Sequence, residues 1–240
     1  MDAKDLMSMV MSQAKTDSEQ NPKDGIPSSE HKKKVEEKFY EAFREDAEAQ
    51  KAEKAKRLRE ESNLGARFAR RTFENFDANR DRTAYEKCLA YSEQYKDTER
   101  NCLLLVGSYG SGKTHLAGAI ANKLMDKGVP VLFDTFSGHL NKLKAEFSGG
   151  KSVYLEQMKN VDMLILDDIG KEKISEWSMS IMFDVINYRY EHLLPIVMTS
   201  NLKSIALNEY LGGAVFSRLC EMCTGVVTSG KDYRQNGKGK

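Results

Sequence analysis

One octapeptide, Gly107-Ser108-Tyr109-Gly110-Ser111-Gly112-Lys113-Thr114, has the spacing G-x-x-x-x-G-K-[ST]. The apolar stretch CLLLV precedes it and the helical pattern THLAGAIANKLMDK follows. Glycines let the backbone curl until successive N–H groups point inward, and the helix N-terminus adds partial positive charge. This is a cradle for phosphate oxygens. In such a loop the Lys113 ammonium reaches the β- and γ-phosphates and the Thr114 hydroxyl binds Mg²⁺. The expected ligand is a nucleoside triphosphate with Mg²⁺.

Two further polar sites end apolar runs. Val161-Asp162-Met163-Leu164-Ile165-Leu166-Asp167-Asp168-Ile169-Gly170 reads as a buried strand finishing in adjacent carboxylates. Ligands of open parallel sheets gather at the carboxyl ends of strands. Asp167 is therefore expected to hold the metal, through water, opposite Thr114. Asp168 is expected to orient or deprotonate an attacking water. The run PIVMT ends at Ser200-Asn201, where an amide can reach both the γ-phosphate and that water. Asn after a strand is also ordinary turn chemistry.

The elements that must position these groups are short. Strands are predicted at 103–106, 130–133, 163–166, 196–198 and 225–227. Helices are predicted at 83–95, 115–127, 138–147, 153–159, 176–193 and 214–222. Short apolar strands separated by longer helices predict an α/β fold with a parallel five-stranded sheet covered on both faces.

The 240 residues carry 37 Lys and Arg against 36 Asp and Glu, a net charge of +1 that excludes polybasic and acidic-tail proteins. That average hides a division near residue 63. Residues 1–62 hold 13 basic and 15 acidic side chains, leaving 24 and 21 for residues 63–240. The first thirty residues have linker composition. From His31 to Ser62 no Pro or Gly occurs, which favours a charged helix with a short stripe at Val35, Phe39 and Phe43. That stripe suits either a solvated helix or docking to a partner. No run approaches the ~18 apolar residues of a membrane span, and the N-terminus lacks a signal-peptide pattern. Four cysteines without such a signal do not make a disulfide framework, so a cytoplasmic protein is expected.

The ordered set GSYGSGKT, LLILDDIG, MTSN, FSRL and GKDYR resembles the AAA+ ATPases of the replicative helicase-loader group (DnaC/DnaI-like). The IstB-type transposition ATPases share these features. The resemblance covers roughly Leu64 to Arg234, including the lead-in ARFARRTFENFD. It implies a P-loop AAA+ core with no full lid domain, preceded by the charged segment. Lys113 and Thr114 then belong to Walker A, Asp167 and Asp168 to Walker B, and Asn201 to sensor 1. Arg218 falls at the position of an arginine finger acting in trans on a neighbouring subunit, which implies a homo-oligomer. Arg234 matches a terminal G-x-x-Y-R element. Asp168 departs from the more common Glu, which implies slow hydrolysis and ATP as a switch. The zinc site of some loaders is not expected, because residues 1–62 hold no cysteine and Cys220-x-x-Cys223 stands alone.

What the resemblance implies about function is ATP-dependent loading of a replicative hexameric helicase onto single-stranded DNA, with residues 1–62 choosing the partner. Lys142 and Lys144 lie on the helix where a DNA-facing surface is expected, and the tail KDYRQNGKGK adds positive charge. Two alternatives stand beside it. One is an IstB-like transposition helper ATPase. The other is a P-loop small-molecule kinase, disfavoured because no Arg lies between Lys123 and Asp167 to serve a lid.

Overall fold

The computed structural model describes residues 29–62, 64–95, 100–146, 152–173 and 175–229. The chain forms two compact units, Met1–Glu53 and Lys54–Lys240. The first carries most of helix α1 (Ser29–Glu61). Every side chain from 43 to 53 is exposed, as the nearly all-polar sequence requires. Of the predicted stripe, Phe43 is exposed, while the side chains of Val35 and Phe39 lie outside the described residues.

The second unit begins earlier than composition suggested. Ala55 and Leu58, one helical turn apart in a charge-rich stretch, are buried. Arg59 pairs with Asp126, and the Ser62 carbonyl accepts the Phe133 N–H at 2.9 Å. The last turns of α1 are therefore part of this unit. A short helix α2 (Ala66–Ala69) leads into α3 (Arg82–Gln94). Asp81 caps α3 by accepting the Ala84 N–H at 3.0 Å, satisfying an otherwise orphaned donor.

The sheet consists of β1 (Cys102–Gly107), β2 (Val131–Thr135), β3 (Met163–Ile169), β4 (Ile196–Ser200) and β5 (Cys223–Thr228). Its order is β2-β3-β4-β1-β5, and every neighbour pair is parallel. The period-2 alternation of a strand divides the core in two. Leu103, Leu105, Met163, Ile165 and Val197 face one layer with α3 and α4 (Lys113–Asp126). Leu132, Leu164, Leu166, Ile196 and Met198 face the other. That second layer contains α5 (Phe136–Glu146), α6 (Val153–Asn160), α7 (Glu176–Glu191), α8 (Ser204–Leu211) and α9 (Gly213–Met222). The sequence pattern did not single out α8, an eight-residue helix with only Leu207 and Leu211 buried.

Two buried polar side chains fasten the second layer. Arg189 on α7 is 0% exposed. It donates to the last-turn carbonyls of α6, Met158 at 3.0 Å and Lys159 at 2.9 Å, and to Pro195 at 2.7 Å before β4. Three carbonyls thus share one guanidinium, whose pKa burial lowers to about 10. Arg189→Met strands these carbonyls and is expected to cost about 3 kcal/mol in urea unfolding. Arg189→Lys is expected to recover little, because one ammonium lacks the planar fork.

His139 on α5 is the second. Its Nε2–H donates to the Ile165 carbonyl at 3.1 Å, which leaves Nδ1 to accept the Tyr154 hydroxyl at 2.8 Å. Burial pushes its pKa down to about 4, against the opposing effect of the Ile165 bond and the nearby Asp134 carboxylate, itself paired with Lys142. The folded ring is harder to protonate than the unfolded one, so the unfolded chain binds more protons and stability falls with pH below about 6.5. Unfolding free energy is expected to drop by about 2 kcal/mol between pH 7 and pH 5 from this group. Urea midpoints of His139→Gln are expected to lose that part of the pH dependence.

Candidate nucleotide-binding site

The loop between β1 and α4 has the conformation its glycines permit. Gly112 has φ +99°, a left-handed value that strains residues with a Cβ, and an added Cβ would stand 2.8 Å from the Phe76 ring. Phe76 packs edge-on against His115 on the first turn of α4, with ring centroids 5.2 Å apart. His115 Nε2 in turn donates to the Thr72 carbonyl at 3.0 Å. The lead-in segment is thereby fixed against the loop.

Lys113 is 4% exposed. Its ammonium donates to the carbonyls of Gly107 at 2.9 Å and Ser108 at 2.8 Å, and to Asn201 Oδ1 at 2.7 Å. A phosphate oxygen is a charged acceptor and forms a stronger bond than these neutral oxygens. Lys113 and Asn201, 88 residues apart in sequence, are thus directly joined. The Asn201 Nδ2 amino group is buried without a hydrogen-bond partner. It is a donor held in place with nothing to donate to.

Asp167 supplies the complementary atom. It is 1% exposed, and its Oδ1 accepts the hydroxyls of Thr114 at 3.0 Å and Thr199 at 2.6 Å. Its Oδ2 is buried and unpartnered. Burial, with the neighbouring Asp168 charge adding to it, raises its pKa to about 6 against the two hydroxyl bonds. A hard cation that prefers oxygen ligands suits such a carboxylate beside a threonine hydroxyl. The residues present fit Mg²⁺ together with a phosphate.

Asp168 stands at the same strand end but is engaged elsewhere. Its Oδ2 pairs with Lys171 at 2.5 Å, and its amide donates to Thr199 Oγ1 at 2.9 Å. Tyr109, at the tip of the loop, is 61% exposed. Ser111 Oγ lies 2.6 Å from Thr228 Oγ1, so β5 also holds the loop. Thr199, inside the MTSN run but given no role by it, and Thr228, outside every motif, also contact the site residues. The available signal was a buried hydroxyl near the end of an apolar strand.

Arg218 is on α9. Its Nη1 donates to the Ala214 carbonyl at 3.0 Å, and its guanidinium lies over the rings of Phe183 at 5.4 Å and Tyr190 at 5.6 Å. Among the described residues these partners are all on α7 and α9, not on the phosphate loop. Lys142 is committed to Asp134 at 2.8 Å, whereas Lys144 is exposed, with its ammonium 5.4 Å from the Trp177 ring centroid. Cys223 is buried in β5 and Cys220 is exposed on α9. Arg234 and the basic tail lie outside the described residues.

Known proteins share the fold. The phage-like element PBSX protein XkdC of Bacillus subtilis (strain 168) is 37% identical over 155 residues, covering 60% of this chain and 56% of its own length. The replicative helicase loader DnaC of Escherichia coli (strain K12) is 28% identical over 153 residues, 62% of each chain. The first two curated relatives are matched over only 56% and 61% of their lengths. Among solved structures, the DnaC helicase loader superposes with a TM-score of 0.63 at 27% identity, covering 69% of this chain and 100% of that one. DnaI gives 0.59 at 25% identity, covering 71% and 94%. No described helix is long and apolar enough to cross a membrane. The five-stranded parallel sheet and its phosphate loop are those of an AAA+ fold. The sequence model described as IstB-like ATP binding protein matches residues 27–240, and the chain belongs to that family.

Proposed function

We propose that the chain binds ATP with Mg²⁺, hydrolyses it slowly, and uses the nucleotide state to load a replicative hexameric helicase onto single-stranded DNA. The observation that supports the nucleotide reading best is the pair of buried, unpartnered atoms, Asn201 Nδ2 and Asp167 Oδ2. One is a donor suited to a γ-phosphate and the other an acceptor suited to a cation.

In this reading the amides of residues 107–114 and the Lys113 ammonium bind the triphosphate. Thr114 and Asp167 hold Mg²⁺, which neutralises phosphate charge when bound. Asn201 orients a water whose oxygen bonds to the γ-phosphorus while the bridging oxygen leaves with ADP. Asp168 takes the water's proton. Arg218 of a neighbouring copy neutralises the charge that develops, so full activity needs assembly. The helicase assignment rests on the relatives named as helicase loaders. A transposition helper remains the second reading, favoured by the IstB description of the matching family. A small-molecule kinase would transfer phosphate to a metabolite instead of water.

ADP formation without any acceptor tests the chemistry. Lys113→Ala is expected to abolish detectable binding of a fluorescent ATP analogue. Asn201→Ala is expected to keep that binding and lower kcat by about 100-fold. Phosphate appearing on a metabolite and not as free phosphate would establish the kinase instead.

Retention of a replicative helicase under ATP tests the partner. The full chain is expected to retain it, and a form lacking residues 1–53 to lose it while hydrolysing ATP normally. The cut at residue 53 spares Ala55 and Leu58, which belong to the core of the second unit. Failure of the full chain to retain the helicase would remove the loader reading in favour of a transposition partner.

A further inference from the structure

The backbone at Asp168 is out of the ordinary. The pairing of β3 with β4 shifts register between Leu166 and Ile169, and Asp168 takes φ +58°. A non-glycine residue in this left-handed region persists only when its surroundings hold it there. Two contacts do so. The Asp168 N–H donates to Thr199 Oγ1, and the Lys171 ammonium grips Asp168 Oδ2.

Lys171 is itself delivered by a rigid turn. Gly170 has φ +98°, and an added Cβ would lie 2.5 Å from the Leu202 side chain, so the turn between Asp168 and Lys171 has little room to rearrange. The same ammonium lies 5.9 Å from the ring centroid of Tyr109, near the outer limit of a cation–π contact. Lys171 therefore reaches both the carboxylate at the end of β3 and the tip of the phosphate loop. No motif singled it out.

We propose that Lys171 is a positioning residue that tethers Asp168 and thereby lengthens the lifetime of bound ATP. The proposal rests on the reading of Asp168 as the group that takes the proton from the attacking water. That step needs a free carboxylate oxygen directed at the water. The tether occupies Oδ2 and ties the side chain to the turn three residues onward. An aspartate, one methylene shorter than glutamate, has little reach to spare under such a restraint. Both partners are partly exposed, with 44% of the Lys171 side chain and 23% of the Asp168 side chain accessible, so the tether can open without unfolding the strand end. Retention of Thr199 on the Asp168 amide keeps the backbone in place when it does.

Steady-state ADP formation by the full chain with ATP and Mg²⁺ tests this, alongside equilibrium binding of a fluorescent ATP analogue. Lys171→Met is expected to raise kcat roughly fivefold, the factor an ion pair of this exposure is worth, with KM unchanged. Lys171→Arg keeps the pair and is expected to retain the wild-type kcat. Added to Asp168→Asn, Lys171→Met is expected to leave the residual kcat of Asp168→Asn unchanged, which locates the effect on Asp168. An unchanged or lower kcat in Lys171→Met, or a gain that survives Asp168→Asn, overturns the proposal. If wild type and Lys171→Met both bind the analogue and neither forms ADP, the tether is refuted while the nucleotide-binding reading stands. If neither binds it, both fail together.

Discussion

Burying the Asp167 carboxylate at the end of β3 costs free energy that two threonine hydroxyls offset only in part. Much of the site's layout follows from satisfying that one charge. One hydroxyl comes from the helix after β1 and the other from β4, so both strands must end level with β3. A parallel sheet does this, because all its carboxyl ends lie along one edge. The register pairs Leu166 with Met198 and Leu105 with Thr199, which brings Thr199 beside the phosphate-loop strand. The oxygen left over, together with the orphaned amide of Asn201, gives the edge a polarity that protein groups alone do not complete. Asp167 Oδ2 and Asn201 Nδ2 are buried groups of opposite hydrogen-bonding character left without a partner at this strand edge.

The phosphate loop was legible because its chemistry is local. Eight contiguous residues contain the glycines, the ammonium and the hydroxyl, and the flanking strand and helix announce themselves by period. Strand ends were nearly as clear, since Asp167 and Asn201 follow apolar runs. Thr199 and Thr228 were not, because a hydroxyl inside an apolar run looks like tolerated polarity until register shows what stands across from it. The start of the second unit was missed for a similar reason. Ala55 and Leu58 are too few to form a visible pattern among Lys, Glu and Arg, yet they are buried. Lys142, placed with Lys144 on the helix expected to face DNA, pairs with Asp134 eight residues earlier, a contact that neither residue's spacing announces. Helix α8 escaped because so little of its surface is buried.

Electrostatics in this molecule is arranged by pairing rather than by net charge. A fully buried guanidinium is held by carbonyls, a buried imidazole by a carbonyl and a phenol, and the guanidinium of Arg218 by two aromatic faces. Each arrangement limits rotation as well as solvation. A planar cation lying over two rings keeps its orientation, and orientation is what a long side chain loses most readily. The charge-dense first unit is the opposite case, with its described side chains exposed.

The place of β1 between β4 and β5 has a kinetic side. The strand that leads into the phosphate loop gains its two neighbours only when residues far downstream arrive, and Ser111 meets Thr228 across a separation of 117 positions. Closing such loops is slow relative to forming the helices between them. During synthesis the lysine, threonine and glycines of the loop are therefore present long before the strands that shape them. The capacity to hold an anion would appear near the end of folding, in one step with the docking of β5.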